Sequence, residues 1–326
     1  MTQKPNVFPH LRFHYGYAFS DNLAFVAGRS LEQDPDDGTT AIMAFEYRRQ
    51  PGQQWSFYLF SSDKVRSMGI MRKGEERVRY LTTDSSQLFY MQKTLEQDAT
   101  LRSYKVKVID EVAFSTGFRG GVYKNSGGAW QFLTPEWRKK YDDFIDYASY
   151  NNIYPWPLEI ERIGSLLALD GPTSEDVYFA GKAGGVAHYD GAAVSLLPAF
   201  TSENLFGVYA RAPDDIWICA HAGTLYRGDK KQGFKRFPST PEFSAVYAML
   251  AYKDDMYVSA AAGESDEPQL YVLNGGEFRT VQSLGGPKIS QIAAMNVADD
   301  VLWAFGVDSV VRFDGKTWEV MDNPYK

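Results

Sequence analysis

Four histidines, one cysteine and a recurring set of aspartates are the side chains of this 326-residue sequence that could carry metal, nucleophilic or acid–base chemistry. The histidines are His10, His14, His188 and His221. His188 and His221 fall at different positions of the repeat described below, which argues against a histidine metal cluster. Cys219 lies between Ile218 and Ala220, where a small buried hydrophobe is expected, and a nucleophilic role would need an adjacent base. A single cysteine also excludes an intramolecular disulfide and a cysteine-based zinc site. Asp176, Asp215, Asp255 and Asp300 recur at intervals of 39, 40 and 45 residues. Two carboxylates roughly 5–9 Å apart can cleave glycosides. Acids that follow a repeat suit a turn role instead, because catalytic residues should break it. Glu264, Asp266 and Glu267 do break it, but they lie in a polar hairpin. The acidic stretch Ser30–Thr40, with Glu32, Asp34, Asp36 and Asp37, has Gln33 and Pro35 where a calcium loop needs oxygen ligands, and reads as a solvated hairpin loop. The phosphate-cradling GxxxxGK, the GxSxG elbow, HExxH and CxxC do not occur. The expectation is a chain with no catalytic residues, no metal and no cofactor.

The elements that carry these residues repeat. Ser174–Lys182 (SEDVYFAGK), Pro213–His221 (PDDIWICAH), Lys253–Ala261 (KDDMYVSAA) and Ala298–Val307 (ADDVLWAFGV) each join an acidic turn to a short apolar run. A turn feeding a strand produces that pattern. A second phrase follows each: Gly184–Gly191, Gly223–Asp229, Gln269–Gly276 and Ser309–Gly315. The endings Asp190-Gly191, Asn274-Gly275 and Asp314-Gly315 predict two-residue hairpins with positive φ at both central positions. An apolar strand precedes each acidic turn (Ile163–Leu169, Leu205–Ala210, Ala245–Ala251, Ile289–Met295) and a short closing strand follows, as in Lys316–Val320. Four strands per unit of about 40–45 residues are the dimensions of a propeller blade. The first half shows the same plan in Ser20–Arg29, Ala41–Tyr47 and Trp55–Phe60, in Arg77–Asp84 and Gln87–Met91, and in Asp110–Phe118, Gly121–Gly128 and Ala129–Leu133. Three units there and four later predict an all-β, seven-bladed β-propeller in one domain, 1–326. An eroded N-terminal domain followed by a four-unit array is the competing plan; a closed ring removes exposed sheet edges and is preferred. Either Asn6–His10 or the last strand could close it.

The spacing between equivalent acids rises to 65 residues from Glu111 to Asp176. The extra chain, 134–158, predicts a helical, aromatic insertion between blades three and four. Thr134 can cap a helix and Pro135 suits its first position. Trp137, Tyr141, Phe144 and Ala148 then form one apolar stripe, and Asn151-Asn152 is a plausible stop before Tyr154, Pro155 and Trp156. Covering the ring would bury such a stripe. Seven aromatic residues between Trp137 and Trp156 exceed that need, so Trp137, Tyr141, Phe144, Tyr147, Tyr154 and Trp156 are the candidate partner-binding residues.

Charge narrows the partner. With 34 basic and 41 acidic residues the net charge is −7, which argues against a phosphate-tracking surface and so against nucleic acid. No run approaches the roughly 18 apolar residues of a membrane span, and the first residues lack the apolar core of a secretory signal. A cytoplasmic location without membrane contact is expected.

The phrases EDVYFAGKAGGVAHYDG (Glu175–Gly191) and DDVLWAFGVDSVVRFDGKTWEVM (Asp299–Met321) resemble bacterial WD-repeat-like β-propellers, well over Ile160–Met321 and marginally before Gly128. The WD dipeptide and the sialidase-type Asp-box are absent. Propellers of this kind resemble immunity proteins found beside secreted bacterial toxins. The resemblance implies a non-enzymatic protein-binding role, with toxin neutralisation by direct binding as the sharpest form. A basic toxin surface would suit the acidic chain. The alternative is a carbohydrate-active or small-molecule propeller using the central depression.

Overall fold

A computed structural model describes residues 11–30, 39–61, 64–73, 76–83, 87–91, 95–151, 153–238, 241–263, 265–274 and 276–325. The acidic loop with Glu32, Asp34, Asp36 and Asp37, the stretch Asn6–His10, Asn152, Glu264 and Gly275 lie outside the described residues. The chain divides into two compact units, residues 1–65 with 246–326 and residues 66–245.

The first unit contains three four-stranded antiparallel sheets. One is β1 (Leu11–Ala18), β2 (Leu23–Ser30), β3 (Thr39–Glu46) and β4 (Trp55–Ser61). The second unit opens on a seven-stranded sheet of β5 (Val65–Lys73), β6 (Glu76–Thr83), β7 (Gln87–Met91), β8 (Leu95–Ile109), β9 (Val112–Gly117), β10 (Val122–Asn125) and β11 (Gln131–Phe132). Two helices follow, α1 (Pro135–Asn151) and α2 (Leu158–Gly164). The unit continues with the sheet of β12 (Leu166–Thr173), β13 (Asp176–Gly181), β14 (Val186–Tyr189) and β15 (Val194–Leu196). Its last sheet is β16 (Leu205–Ala212), β17 (Asp215–Ala220), β18 (Leu225–Asp229) and β19 (Gly233–Arg236). The remaining sheets of the first unit are β20 (Phe243–Tyr252), β21 (Asp255–Ala262), β22 (Ser265–Asn274) and β23 (Glu277–Thr280), then β24 (Ile292–Ala298), β25 (Val301–Gly306), β26 (Ser309–Phe313) and β27 (Trp318–Asp322). In every sheet sequential strands are neighbours, as hairpin connections dictate.

The acidic phrases lead into β13, β17, β21 and β25. Each is buried along nearly its whole length, so both faces of these second strands meet neighbouring side chains. That explains their continuous apolar runs, where a half-exposed strand would alternate. In the first unit, β1 packs beside β24 and β25, and the two terminal sheets share a core of Leu11, Phe13, Val26, Met43, Phe45, Trp303, Phe305 and Val310. Asn296 stitches them: its Oδ1 accepts from the Ala18 N–H at 2.8 Å and its Nδ2 donates to the Ala18 carbonyl at 2.7 Å. Gly16 is required there, because a methyl on its Cα would overlap the Phe305 ring. The sheet β24–β27 is built from sequential strands alone, and β1 opens its own sheet.

Three local expectations are corrected. The turns at Asp190-Gly191 and Asp314-Gly315 are not two-residue hairpins. Asp190 Oδ1 accepts from the N–H groups of Ala192 and Ala193, and Asp314 Oδ1 from those of Lys316 and Thr317. Asp229 and Asn125 repeat the device with the amides two and three residues on. Only the glycine after the aspartate, Gly191 or Gly315, has positive φ. The carboxylate stands in for a backbone acceptor, and the loop lengthens accordingly. The second correction concerns β8, a 15-residue strand. Its first part pairs with β7 and Ser103–Ile109 pairs with β9, so two predicted units share one strand. Fully buried hydroxyls hold this region: Ser103 with Ser115 at 2.6 Å, and Ser67 with Thr82 at 2.7 Å. Third, Ile163–Gly164 close helix α2, so the strand expected from Ile163 starts at Leu166.

Candidate functional site

Helix α1 starts at Pro135 and ends at Asn151, the bounds those two residues predict, but Thr134 does not cap it with its side chain. The Thr134 hydroxyl serves the adjoining sheet: it accepts from the Val122 N–H at 3.0 Å and donates to the Gly120 carbonyl at 2.6 Å. Arg138 fastens the first turn. Its guanidinium donates to the carbonyls of Arg119 (3.0 Å) and Phe118 (3.1 Å) and to the Tyr123 hydroxyl (3.1 Å), and lies over the Phe132 ring. Asp142 pairs with Arg119, and Lys140 with Glu159 of α2. Helix α2 is fixed in turn by Arg162, whose Nε donates to the Ala183 carbonyl at 3.0 Å. Gly164 lets α2 meet α1, since a methyl there would overlap the Tyr141 ring.

The helix divides the candidate residues by face. Trp137 packs on the core that joins Phe114, Val122, Leu166 and Val177. Tyr141 and Phe144 meet Trp156 edge-on, with ring centroids 6.0 and 6.1 Å apart. Burial raises the Tyr141 hydroxyl above its ordinary pKa. These four aromatics, with Ala148, hold the insertion together. Tyr147 and Tyr154 point outward, 59% and 87% exposed, and the structure adds Tyr150 at 88% and Leu158 at 50%. Tyr150 lies three residues after Tyr147, on the face opposite the apolar stripe; its helical phase alone could have singled it out.

Most of the groups considered for chemistry are occupied structurally. Asp176 Oδ1 receives His188 Nε2 at 2.5 Å and Lys230 Nζ at 3.0 Å, tying the sheet of β13 to that of β18. Asp215 Oδ1 accepts from Arg227 at 2.5 Å. Asp255 accepts from Asn274 at 3.2 Å, and Glu267 pairs with Lys288 at 3.3 Å. His14 Nε2 accepts from the Val65 N–H, and His221 lies exposed beside Phe206. Cys219 is buried and its thiol is pushed up to about 12 by desolvation. Among the described residues no three His, Cys, Asp or Glu side chains converge as metal ligands, and no helix is long and apolar enough to cross a membrane.

Sequential antiparallel sheets of this kind, nearly all of four strands, define the fold of a β-propeller. Solved structures agree over most of the chain. The WD40 propeller domain of Doa1 matches with a TM-score of 0.62 at 11% identity, covering 93% of each chain. YCF48 from Cyanidioschyzon merolae matches with a TM-score of 0.61 at 12% identity, covering 93% of this chain and 95% of that one. In sequence, the chain is similar to the immune protein Tsi7 of Pseudomonas aeruginosa, 24% identical over 217 residues. That match covers 67% of this chain, and it spans 63% of the relative's length. No family model matches.

Proposed function

We propose that this chain is a non-enzymatic, protein-binding propeller of the immunity type, which neutralises a bacterial toxin by binding it directly in the cytoplasm. The observation that carries the reading is the set Tyr147, Tyr150 and Tyr154, exposed on an insertion that Trp137 seats on the sheets and whose other aromatics pack on one another. Rigid, solvent-facing tyrosines on an ordered scaffold are what a protein interface uses as anchors. Similarity to an immune protein supports the same role. Residues 1–326 form one propeller in this reading. Taking the seven-stranded sheet as two blades that share β8 brings the number of blades to seven, with 134–158 inserted between the third and fourth. Trp137, Tyr141, Phe144 and Trp156 shape the interface from beneath, and Tyr147, Tyr150 and Tyr154 make it. The partner is a toxin domain with a basic surface; nucleic acid and membrane are not partners.

The test is capture of the partner from the native host, followed by titration calorimetry with Tyr147→Ala, Tyr150→Ala and Tyr154→Ala. At least one substitution is expected to cost more than about 1 kcal/mol. Unchanged affinity in all three would move the interface away from the insertion.

A further inference from the structure

Among the described residues, the large apolar and aromatic side chains that the second unit exposes are Phe118, Tyr147, Tyr150, Tyr154, Leu158 and Phe206. All but Phe118 and Phe206 belong to the insertion, and hydrogen bonds join those two to it in one row. The Phe118 carbonyl accepts from Arg138 of α1 at 3.1 Å, and Phe118 bridges antiparallel to Ser165, just past α2. The Ser165 carbonyl accepts from the Lys182 N–H at 3.0 Å. Asn204 continues the row: its Oδ1 accepts from the Ala183 N–H at 3.0 Å and its carbonyl from the His221 N–H at 2.8 Å. Phe206 follows two residues on, its ring 6.3 Å from that of His221. At the other end of the row the Phe118 and Tyr104 rings pack with centroids 4.3 Å apart. Scattered exposed hydrophobes are ordinary on a surface, but those of this unit all fall along one row beside the insertion.

Unpaired charge on the row is mostly positive. Arg102, whose carbonyl abuts Gly117, and Lys182 are both exposed, with no carboxylate partner among the described residues. Burial raises the Tyr104 hydroxyl, while its bond to Ser165 and the charge of Arg66 act the other way. Asp142 is paired with Arg119, and Glu203 accepts from the Tyr226 hydroxyl at 2.7 Å, which leaves Glu161 of α2 as the unpaired carboxylate. Resting on the protein-binding reading above, we infer that the partner's footprint extends from the exposed tyrosines along this row, and that the partner fills it with a segment bearing a large apolar side chain flanked by carboxylates. The apolar group lies against Phe118 and Phe206, and the carboxylates face Arg102 and Lys182. Phenylalanine and arginine are enriched in protein interfaces for these two contacts. Basic groups elsewhere on the partner face the acidic remainder of the chain, so charges of both signs fix its orientation. A nucleic acid would bring one charge per nucleotide against a net −7, whereas a protein segment places its few carboxylates only where cations stand.

The probes are labelled peptides EEFEE, EEAEE and KKFKK and an oligothymidylate, read by anisotropy against the full chain, with the captured partner as a second ligand. EEFEE is expected to bind more tightly than EEAEE, and more tightly than KKFKK although the net charge of the chain favours the latter. Phe118→Ala/Phe206→Ala is expected to weaken EEFEE at least about fivefold at low and high salt. Arg102→Glu/Lys182→Glu is expected to weaken it about threefold to tenfold at low salt, with the difference vanishing near 0.5 M salt. Lys231→Glu, an exposed control on the turn between β18 and β19 at the opposite end of its sheet from His221, is expected to change nothing. Equal binding of EEFEE to the wild type and both double variants, tighter binding of KKFKK, or displacement of EEFEE by the oligothymidylate overturns the inference. With the captured partner, loss on tyrosine substitution but none on either double variant would keep the interface on the insertion and remove its extension. Loss on the double variants alone would keep the row and remove the tyrosines, and no loss with any variant would remove both. Circular dichroism is expected to show unchanged folds; if Phe118→Ala disturbs its packing on Tyr104, Phe206→Ala alone carries the apolar arm.

Discussion

Gly184 and Gly233 provide a matched pair for testing how the sheets of the second unit are seated. Their φ angles are nearly equal, +71° and +72°. At Gly233 a methyl group would meet nothing within 4 Å, whereas at Gly184 it would overlap the Thr201 carbonyl oxygen, just ahead of β16. The Gly184 amide also donates to the Glu203 carbonyl at 2.7 Å, so the turn between β13 and β14 is pinned to the segment that leads into the next sheet. Substituting alanine at either site imposes the left-handed backbone penalty, about 1–2 kcal/mol. Gly184→Ala must in addition push a backbone carbonyl aside, and overpacking of this kind costs about 1–3 kcal/mol. The expected difference between the variants is therefore about 1–3 kcal/mol, read from urea unfolding midpoints by circular dichroism and tryptophan fluorescence. Gly223 belongs with Gly184, since its methyl would overlap the Phe243 carbonyl oxygen. If Gly184→Ala and Gly233→Ala agree within about 0.5 kcal/mol, ordinary for a surface substitution, the close seat is not what requires glycine and the reasoning fails.

Replacing Arg138 with Met removes three hydrogen bonds from a partly exposed guanidinium and is expected to cost about 1–2 kcal/mol, with faster amide exchange in α1 and weaker partner binding; unchanged exchange would show that other contacts hold the helix. Asn296→Ala removes both bonds between β24 and β1 and is expected to destabilise by about 1–3 kcal/mol in thermal melts. Cys219, with its thiol pushed up to about 12, is expected to resist a thiol reagent at pH 8 until the protein is unfolded, and rapid labelling of the native state would contradict its burial. The Asp190 and Asp314 carboxyls lie below their ordinary 3.8 because backbone amides bind the ionised form. The unfolded chain then binds more protons than the folded one, so their stabilisation is complete above about pH 4 and is lost as the pH falls below it. Asp190→Asn/Asp314→Asn should flatten that acid limb in unfolding titrations from pH 2 to 5, and a limb of unchanged steepness would assign it to other groups.

Much of the architecture is legible in local sequence. The second strands β13, β17, β21 and β25 start within one residue of the acidic turns that predict them, because a turn and a buried apolar run are both encoded over fewer than ten residues. Helix α1 is legible for the same reason: Pro135, the 137–141–144–148 stripe and Asn151 are signals within one element. The sharing of β8 by two units is not, since which partner each half of a long strand takes depends on hydrogen bonds to β7 and β9 and on the buried Ser103–Ser115 pair. Nor do the residues of α2 reveal a helix; it is a short segment held by Gly164 against Tyr141 and by Arg162 against the Ala183 carbonyl. The same division runs through the candidate site. Sequence alone determines that the insertion is aromatic and helical. Only the tertiary structure decides that Trp137, Tyr141, Phe144 and Trp156 turn inward while Tyr147, Tyr150 and Tyr154 face water, because a helical stripe has a phase but acquires an inside only when another surface packs against it.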